Sequence, residues 1–378
     1  VTGWAEWVDG ECRLIEQAGR WRTLRALDGG APETAITSTG VPVVSFASND
    51  YLGLSQHPAV KAAAIEAIQR WGTGAGASRL IVGSRPIHDE LEAQLAAWRG
   101  TQAALVFPTG YAANTGTLAT LAGPGTVVCS DELNHASIID GCRLAGRRGA
   151  EVRVYRHADP EHLRAQLAGL DGRRALVVTD TVFSMDGDVA PLGAIAGVCR
   201  AHGALLVVDD AHAVFDVGAD LGGVEVVRVG TLSKTLGSLG GFVAASRRVV
   251  ELLVNRARPF VFTTALTPAD TAAALAALEI LRSAEGEARR RRLREHIGVV
   301  APGHPTPILP VVIGDEPDAV AASTALAERG LLVPAIRPPT VPPGTCRLRV
   351  ALSAAHTGEQ VLRLRAALDE LGLAVSTP

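Results

Sequence analysis

Lys234 sits in the stretch TLSKTLGSLGG, residues 231–241, and is one of only two lysines in a chain of 378 residues; the other is Lys61, and every remaining basic residue is arginine. A guanidinium stays charged and is no amine nucleophile, whereas a lysine amine that is partly desolvated can lose its proton and form a Schiff base with a carbonyl. A surface loop position is the plain explanation for an isolated lysine, so its neighbours decide. Three polar clusters follow apolar runs: FPTGYAANTG (107–116), LVVDDAHAV (206–214) with Asp209 and His212, and VRVGTLSKT (227–235) with Thr231, Ser233 and Lys234. Each is weak by itself, since an acid three residues before a histidine can cap a turn. Together they supply a lysine, a carboxylate, hydroxyls and, at Gly110 and Tyr111, the backbone N–H groups of a helix start that suit a phosphate. That is the donor set required by pyridoxal 5'-phosphate, which needs an amine, a partner for its ring nitrogen and donors for its phosphate.

Such groups need a frame to hold them. Short apolar runs at 103–107, 126–130, 151–155, 175–181, 204–210, 225–230 and 241–245 predict strands, and amphipathic stretches such as PEHLRAQLAGL and PLGAIAGVCRAHG predict helices between them. The second stretch has Pro near its start and Gly past its end, the usual helix punctuation. The alternation predicts an α/β fold with a mainly parallel seven-stranded sheet. In open sheets of this kind ligands bind beyond the carboxyl ends of the strands, where the polar clusters fall. After residue 265 the pattern changes to one long helix over 267–297 and then a smaller α+β region. The expected division is an N-terminal helix and connector over 1–45, a large domain over 46–265, and a linking helix with a small C-terminal α+β domain over 266–378.

Composition narrows the function. Hydrophobic residues make up 47% and charged residues 20%, with a net charge of -3, which predicts a globular chain without the basic face of a nucleic-acid binder. RRRRLR (289–294) follows acidic residues and reads as a solvated helix face. The five cysteines form no C-x-x-C pair, so neither a disulfide framework nor a metal site is expected. The charged N-terminal stretch does not resemble a signal peptide, and no apolar run reaches membrane-spanning length. A cytoplasmic location without membrane attachment is therefore expected. GTGAGASRL (72–80) imitates a dinucleotide fingerprint, but follows a helical stretch and lacks the P-loop lysine. His135, ahead of a helix in NHASIID, reads by itself as a capping residue.

The ordered set SNDYLGLSQHPAV, GAGASRLIVGSRPIHDELE, FPTGYAAN, HASIIDGCRLAG, VFSMDGDVAPL, VVDDAHAV and GTLSKTLGSLGG resembles the α-oxoamine synthase family over nearly the whole chain. These are fold-type I pyridoxal-phosphate-dependent acyltransferases that condense an amino acid with an acyl thioester. AIRPPTVPPGTCRLRVALSAAHT (335–357) is most similar to the branch that joins L-alanine to pimeloyl-CoA or a pimeloyl-acyl carrier protein in biotin biosynthesis. Branches that take glycine or serine remain alternatives, as does a cofactor-binding relative with impaired catalysis.

The resemblance implies a role for each matching residue. Lys234 would hold the cofactor and shuttle the substrate α-proton. Asp209 would face the ring nitrogen, His212 and Ser184 the phenolic oxygen, and His135 one face of the ring. Gly110, Tyr111, Thr231 and Ser233 would surround the phosphate, with Thr263 and Thr264 reaching that of a partner subunit, which implies a homodimer with shared sites. Arg349 and Asn49 would take the amino-acid carboxylate, and Arg25, Arg337 and Thr340 the acyl substrate. One segment departs from the pattern. After His212 the family continues Gly-rich with an Arg-Gly, whereas this chain reads AVFDVGADLGG and enters its next strand early.

Overall fold

A computed structural model describes residues 3–216 and 218–376. Seven strands form the central sheet in the spatial order 103–107, 241–245, 226–231, 205–209, 174–180, 126–131, 151–155. All run parallel except Gly241–Ala245, which is antiparallel to both of its neighbours. Every residue of Thr126–Asp131 and Gly241–Ala245 is buried, as expected of a sheet with helices on both faces. This is why these strands are continuous apolar runs instead of alternating ones. All seven strands anticipated from the sequence are present, within a residue or two at their ends.

The chain order turns around at Thr126–Asp131, which lies between the strand that follows it and the next one in sequence. At such a reversal the loops leave in opposite directions and open a crevice at the carboxyl edge. Register levels the acidic ends of the strands here, since Asp180 pairs directly with Asp209, and Asp209 with Val229.

Three expectations change. The single helix over 267–297 is two, Pro268–Leu281 and Ala284–Val300. Ser283 separates them, its side chain accepting from Glu285 N–H as an N-cap. Gly286 then allows the new helix to press against the old one, because a Cβ there would lie 2.3 Å from the Leu281 carbonyl oxygen. The connector after the first helix, Trp4–Gln17, also contains strands, and Val41–Ser45 pairs in parallel with Leu331–Leu332. A second small sheet carries Ile308–Gly314, Cys346–Ala351 and Ala335–Ile336. The expected segment limits at residues 1 and 378 lie outside the described residues. RRRRLR is only partly a solvated face: Arg289 donates to the Leu52 carbonyl and Arg290 to that of Leu281, while Arg291 is exposed. Among the described residues no helix is long and apolar enough to cross a membrane, and all five cysteines are free.

Candidate active site

The strand ends and one helix start enclose a cleft of about 200 Å³ bounded by Gly110, Tyr111, Asn114, His135, Ser137, Asp180, Asp209, His212, Thr231, Ser233 and Lys234. The helix Gly110–Leu121 begins right after the strand Ala103–Phe107, with Thr109 as its N-cap accepting from Ala112 N–H at 3.0 Å. Its first turn rests on the neighbouring strand because residue 241 has no side chain; a Cβ there would stand 2.5 Å from the Gly110 nitrogen. The free N–H groups of that turn are thus fixed at one end of the cleft, beside Thr231 and Ser233, whose hydroxyls are 2.7 Å apart. A phosphate group fits this end in charge and in donors.

Lys234 is held in a tight turn. Leu232 and Leu236 on either side are fully buried, and the Leu232 amide donates to the Gly240 carbonyl, so the lysine lies on the cleft side of the loop. Gly237, at φ +58°, lets the turn close on Ser55, whose nitrogen a Cβ would approach to 2.4 Å. Burial lowers the pKa of the Lys234 amine; Asp209 and Asp180 oppose the shift and Arg349 reinforces it.

Asp209 is buried, its Oδ2 accepting from Asn114 Nδ2 at 2.6 Å and its Oδ1 from the Ala211 N–H at 2.9 Å. Asp180 is also buried and accepts from the His135 N–H at 2.8 Å. Desolvation, then the nearby charge of Asp209, raises the Asp180 pKa well above the usual carboxylate value. His212 lies with Nδ1 2.6 Å from the Tyr51 hydroxyl. Its burial, followed by the positive charges of Lys234 and Arg349, depresses its pKa strongly and keeps the ring neutral. His135 caps the helix Ala136–Arg147, accepting from Ser137 N–H, and also lines the cleft. Its pKa is lowered, mainly by burial.

The sequence-derived residues do not all meet here. Gly110, Tyr111, His135, Asp209, His212, Thr231, Ser233 and Lys234 converge on the cleft. Arg349 is buried beside it, donating from Nη2 to Asn49 Oδ1 at 3.1 Å and from Nε to the Ser184 carbonyl. Ser184 therefore meets the site through its backbone, by way of Arg349. Thr263 and Thr264 are exposed and do not line this chain's own cleft. Arg25 is exposed; Arg337 donates to the Gly19 carbonyl, and the Thr340 N–H donates to the carbonyl of Arg337. Four cleft or near-cleft groups were not singled out from the sequence: Tyr51, Asn114, Ser137 and Asp180. Asp180 carried a usable signal, because it closes the apolar run ALVVTD as Asp209 closes LLVVD.

The shortened segment after His212 has no helix or strand among its described residues, and its Val217 lies outside them. Beside it is a larger cavity of about 450 Å³ containing Arg99, Asp210, Arg228 and Arg294. Asp210 there accepts from Arg228 at 3.0 Å and from the Thr181 hydroxyl at 2.6 Å, and it holds no lysine or histidine. The smaller cleft is where the reactive groups are.

The Aminotransferase class I and II family profile matches residues 41–368. The 8-amino-7-oxononanoate synthase of Anaeromyxobacter dehalogenans is 49% identical over 387 residues, covering 97% of this chain and 96% of that protein. The chain belongs to the α-oxoamine synthase family. The 8-amino-7-oxononanoate synthase of Geobacter sulfurreducens is 46% identical, with 97% of each chain covered. Among solved structures, a serine palmitoyltransferase from S. paucimobilis with PLP and myriocin bound superposes with a TM-score of 0.87 at 32% identity, covering 97% of both chains. An 8-amino-7-oxononanoate synthase from Francisella tularensis gives 0.71 at 25% identity, covering 87% of this chain and 98% of that one. The fold-type I architecture expected from the sequence is the one found.

Proposed function

We propose that this chain catalyses the 8-amino-7-oxononanoate synthase reaction, the decarboxylative condensation of L-alanine with a pimeloyl thioester. The acyl carbon forms a bond to the alanine α-carbon, the thiol leaves, and the amino-acid carboxyl group departs as carbon dioxide. The observation that carries this reading is the convergence of Lys234, Asp209, His135, His212 and a helix N-terminus on one cleft.

The cofactor is pyridoxal 5'-phosphate, which when bound supplies an aldehyde for the substrate amine and a ring that draws electron density from the α-carbon. Lys234 Nζ takes the α-proton and later returns one; its lowered pKa makes the neutral amine more accessible. Asp209, locked by Asn114 and Ala211, would hold the proton on the ring nitrogen. His212, neutral and steadied by Tyr51, would offer its Nε2 to the phenolic oxygen. His135 would lie against the ring, while Gly110, Tyr111, Thr231 and Ser233 would hold the phosphate. Arg349 and Asn49 take the substrate carboxylate, with Arg25, Arg337 and Thr340 toward the acyl chain. Segments 46–265 and 266–378 act as the large and small domains that bring these groups together, with 1–45 leading into them.

The likeness to serine palmitoyltransferase favours a second reading, a serine-using acyltransferase. Relatives near 49% identity over the whole chain weigh more than a fold shared at 32%. The deciding experiment loads the protein with cofactor and titrates its visible spectrum with L-alanine, glycine and L-serine. Pimeloyl-CoA or pimeloyl-acyl carrier protein is then added and the amino ketone quantified. Alanine is expected to bind best and to give product. A serine preference would move the assignment to the second reading, and no spectral response at all would end both.

We also place this activity in a cytoplasmic homodimer. Leu80, Ile81, Val82 and Phe262 are 50%, 74%, 66% and 70% exposed, and their two segments are joined by the Ala265 N–H donating to the Ala77 carbonyl at 2.9 Å. An apolar patch of this kind suits a second copy, and Thr263 and Thr264 beside it would reach that copy's phosphate. Thr264→Ala is expected to weaken cofactor retention about tenfold, the order for a lost hydrogen bond to a charged group. Mixed dimers of Thr264→Ala and Lys234→Ala subunits should hold cofactor in their lysine-bearing site as tightly as the unaltered protein, because that site takes Thr264 from the other subunit. Monomeric protein, or mixed dimers that retain cofactor there as weakly as Thr264→Ala alone, would refute shared sites.

A further inference from the structure

We propose that His157 is a positioning residue for the amino-acid substrate: bridged between Asp131 and Asp188, it fixes the turn whose Ser184 carbonyl aligns Arg349. The inference rests on the reading above that Arg349 takes the substrate carboxylate.

His157 follows the edge strand Glu151–Tyr155 and lies outside the cleft. Its Nδ1 is 3.0 Å from Asp131 Oδ1 and its Nε2 2.8 Å from Asp188 Oδ2. With a carboxylate at each ring nitrogen, both nitrogens must donate, so the ring is an imidazolium. Burial opposes that charge, but the two carboxylates outweigh it and raise the pKa to about 10. One wall of this arrangement is rigid. The Asp131 side chain is fully buried and also accepts from the Leu133 N–H at 2.9 Å and the Ala158 N–H at 2.8 Å. Asp188, on the other side, is on a turn rather than a strand.

That turn is closed by the Phe183 N–H donating to the Asp188 carbonyl and the Gly187 N–H donating to that of Phe183. The Phe183 ring stands edge-on to His157, with centroids 4.3 Å apart. On the opposite side the turn meets the small sheet. The Thr306 hydroxyl donates to the Gly187 carbonyl at 2.7 Å, Arg347 pairs with Asp186, and Arg349 donates to the Ser184 carbonyl. Arg347 and Arg349 are two apart on the strand Cys346–Ala351 and so share one face. The imidazolium thus pins one end of a five-residue turn, 184–188, whose other end receives the substrate-binding arginine. Without it, Asp131 and Asp188 would be left as unbridged like charges. Asp188 would swing toward water, and the Ser184 carbonyl would no longer limit where Arg349 points.

The test uses cofactor-loaded His157→Asn, with amino-acid binding read from the visible spectrum and turnover read from product. KM for alanine is expected to rise about tenfold with kcat within about twofold, the pattern of weakened substrate positioning. Cofactor retention should not change. Adding Asp188→Asn removes the like-charge pair and should bring KM most of the way back. His157→Gln, whose longer amide reaches further toward the two carboxylates than that of Asn, should show the same split at smaller size and replaces the Asn variant if that one does not fold. A KM equal to the unaltered protein's, or a fall in kcat together with cofactor loss and no recovery in the double variant, would overturn the assignment. If the unaltered protein shows no spectral response to any amino acid, the reading of the site itself falls, and this inference with it.

Discussion

Lys234→Ala is expected to abolish amino-ketone formation, with a loss on the order of 10⁴-fold, the upper range for removing a positioned acid–base group. Two functions disappear together: the amine that anchors the cofactor and the base that takes the α-proton. The cofactor should still enter the cleft, since the helix start at Gly110 and the hydroxyls of Thr231 and Ser233 are untouched. The visible band that depends on covalent attachment should be missing. Lys234→Arg is the sharper variant. It keeps a positive charge between Asp209 and Asp180, so electrostatic balance is largely preserved, yet arginine has no amine to give. Equal inactivity in both variants would show that the chemistry needs a deprotonatable amine; more than about 1% of turnover in either would contradict the assigned base, given the 10²–10⁴-fold usual for such groups.

The build of the sheet explains why so much of the site was legible in the sequence. A parallel strand buried on both faces is written as an apolar run, and polar residues collect where the run stops. Asp209, Thr231 and the start at Gly110 are all at such stops. Lys234 was visible for a compositional reason, as a lysine in an arginine-rich chain. Asn114 and Tyr51 were hidden because they lie inside helix and loop segments and reach the site only through folding, Asn114 one turn into its helix and Tyr51 from a loop far away in sequence. Their contacts to Asp209 and His212 span 95 and 161 residues. The helix break at Ser283 was missed for a different reason. The sequence has no proline there, and periodicity continues across it; only Ser283 as a cap and Gly286 at a close approach mark the change of axis. His157 gave no sign, since its two carboxylate partners lie 26 and 31 residues away on separate elements.

Asp209→Asn is expected to reduce kcat by roughly 10²–10³-fold while leaving the protein folded and coloured, within the range for a lost proton-holding group. The substitution is nearly isosteric, and an amide oxygen can still accept from the Asn114 amide or the Ala211 N–H that now bind the carboxylate at 2.6 and 2.9 Å. What it cannot do is hold a proton on the ring nitrogen by charge, so the α-carbon loses its electron sink although Lys234 and the phosphate donors remain. The neighbours respond in a defined direction. Asp209 is the strongest influence raising the Lys234 pKa, so its removal makes that amine less basic still. It also raises the pKa of Asp180, second only to burial, so Asp180 should give up its proton more readily in the variant. Both shifts move toward lower pH, and the acid limb of any residual activity should move with them. Asp209→Ala separates charge from packing: it leaves the Asn114 amide with one partner fewer in a buried site, at a cost of about 1–3 kcal/mol, and should lose stability where the Asn variant does not. An Asn variant with kcat close to that of the unaltered protein would mean that the ring nitrogen's partner lies elsewhere, and Asp180, level with Asp209 on the next strand, would be the group to replace next.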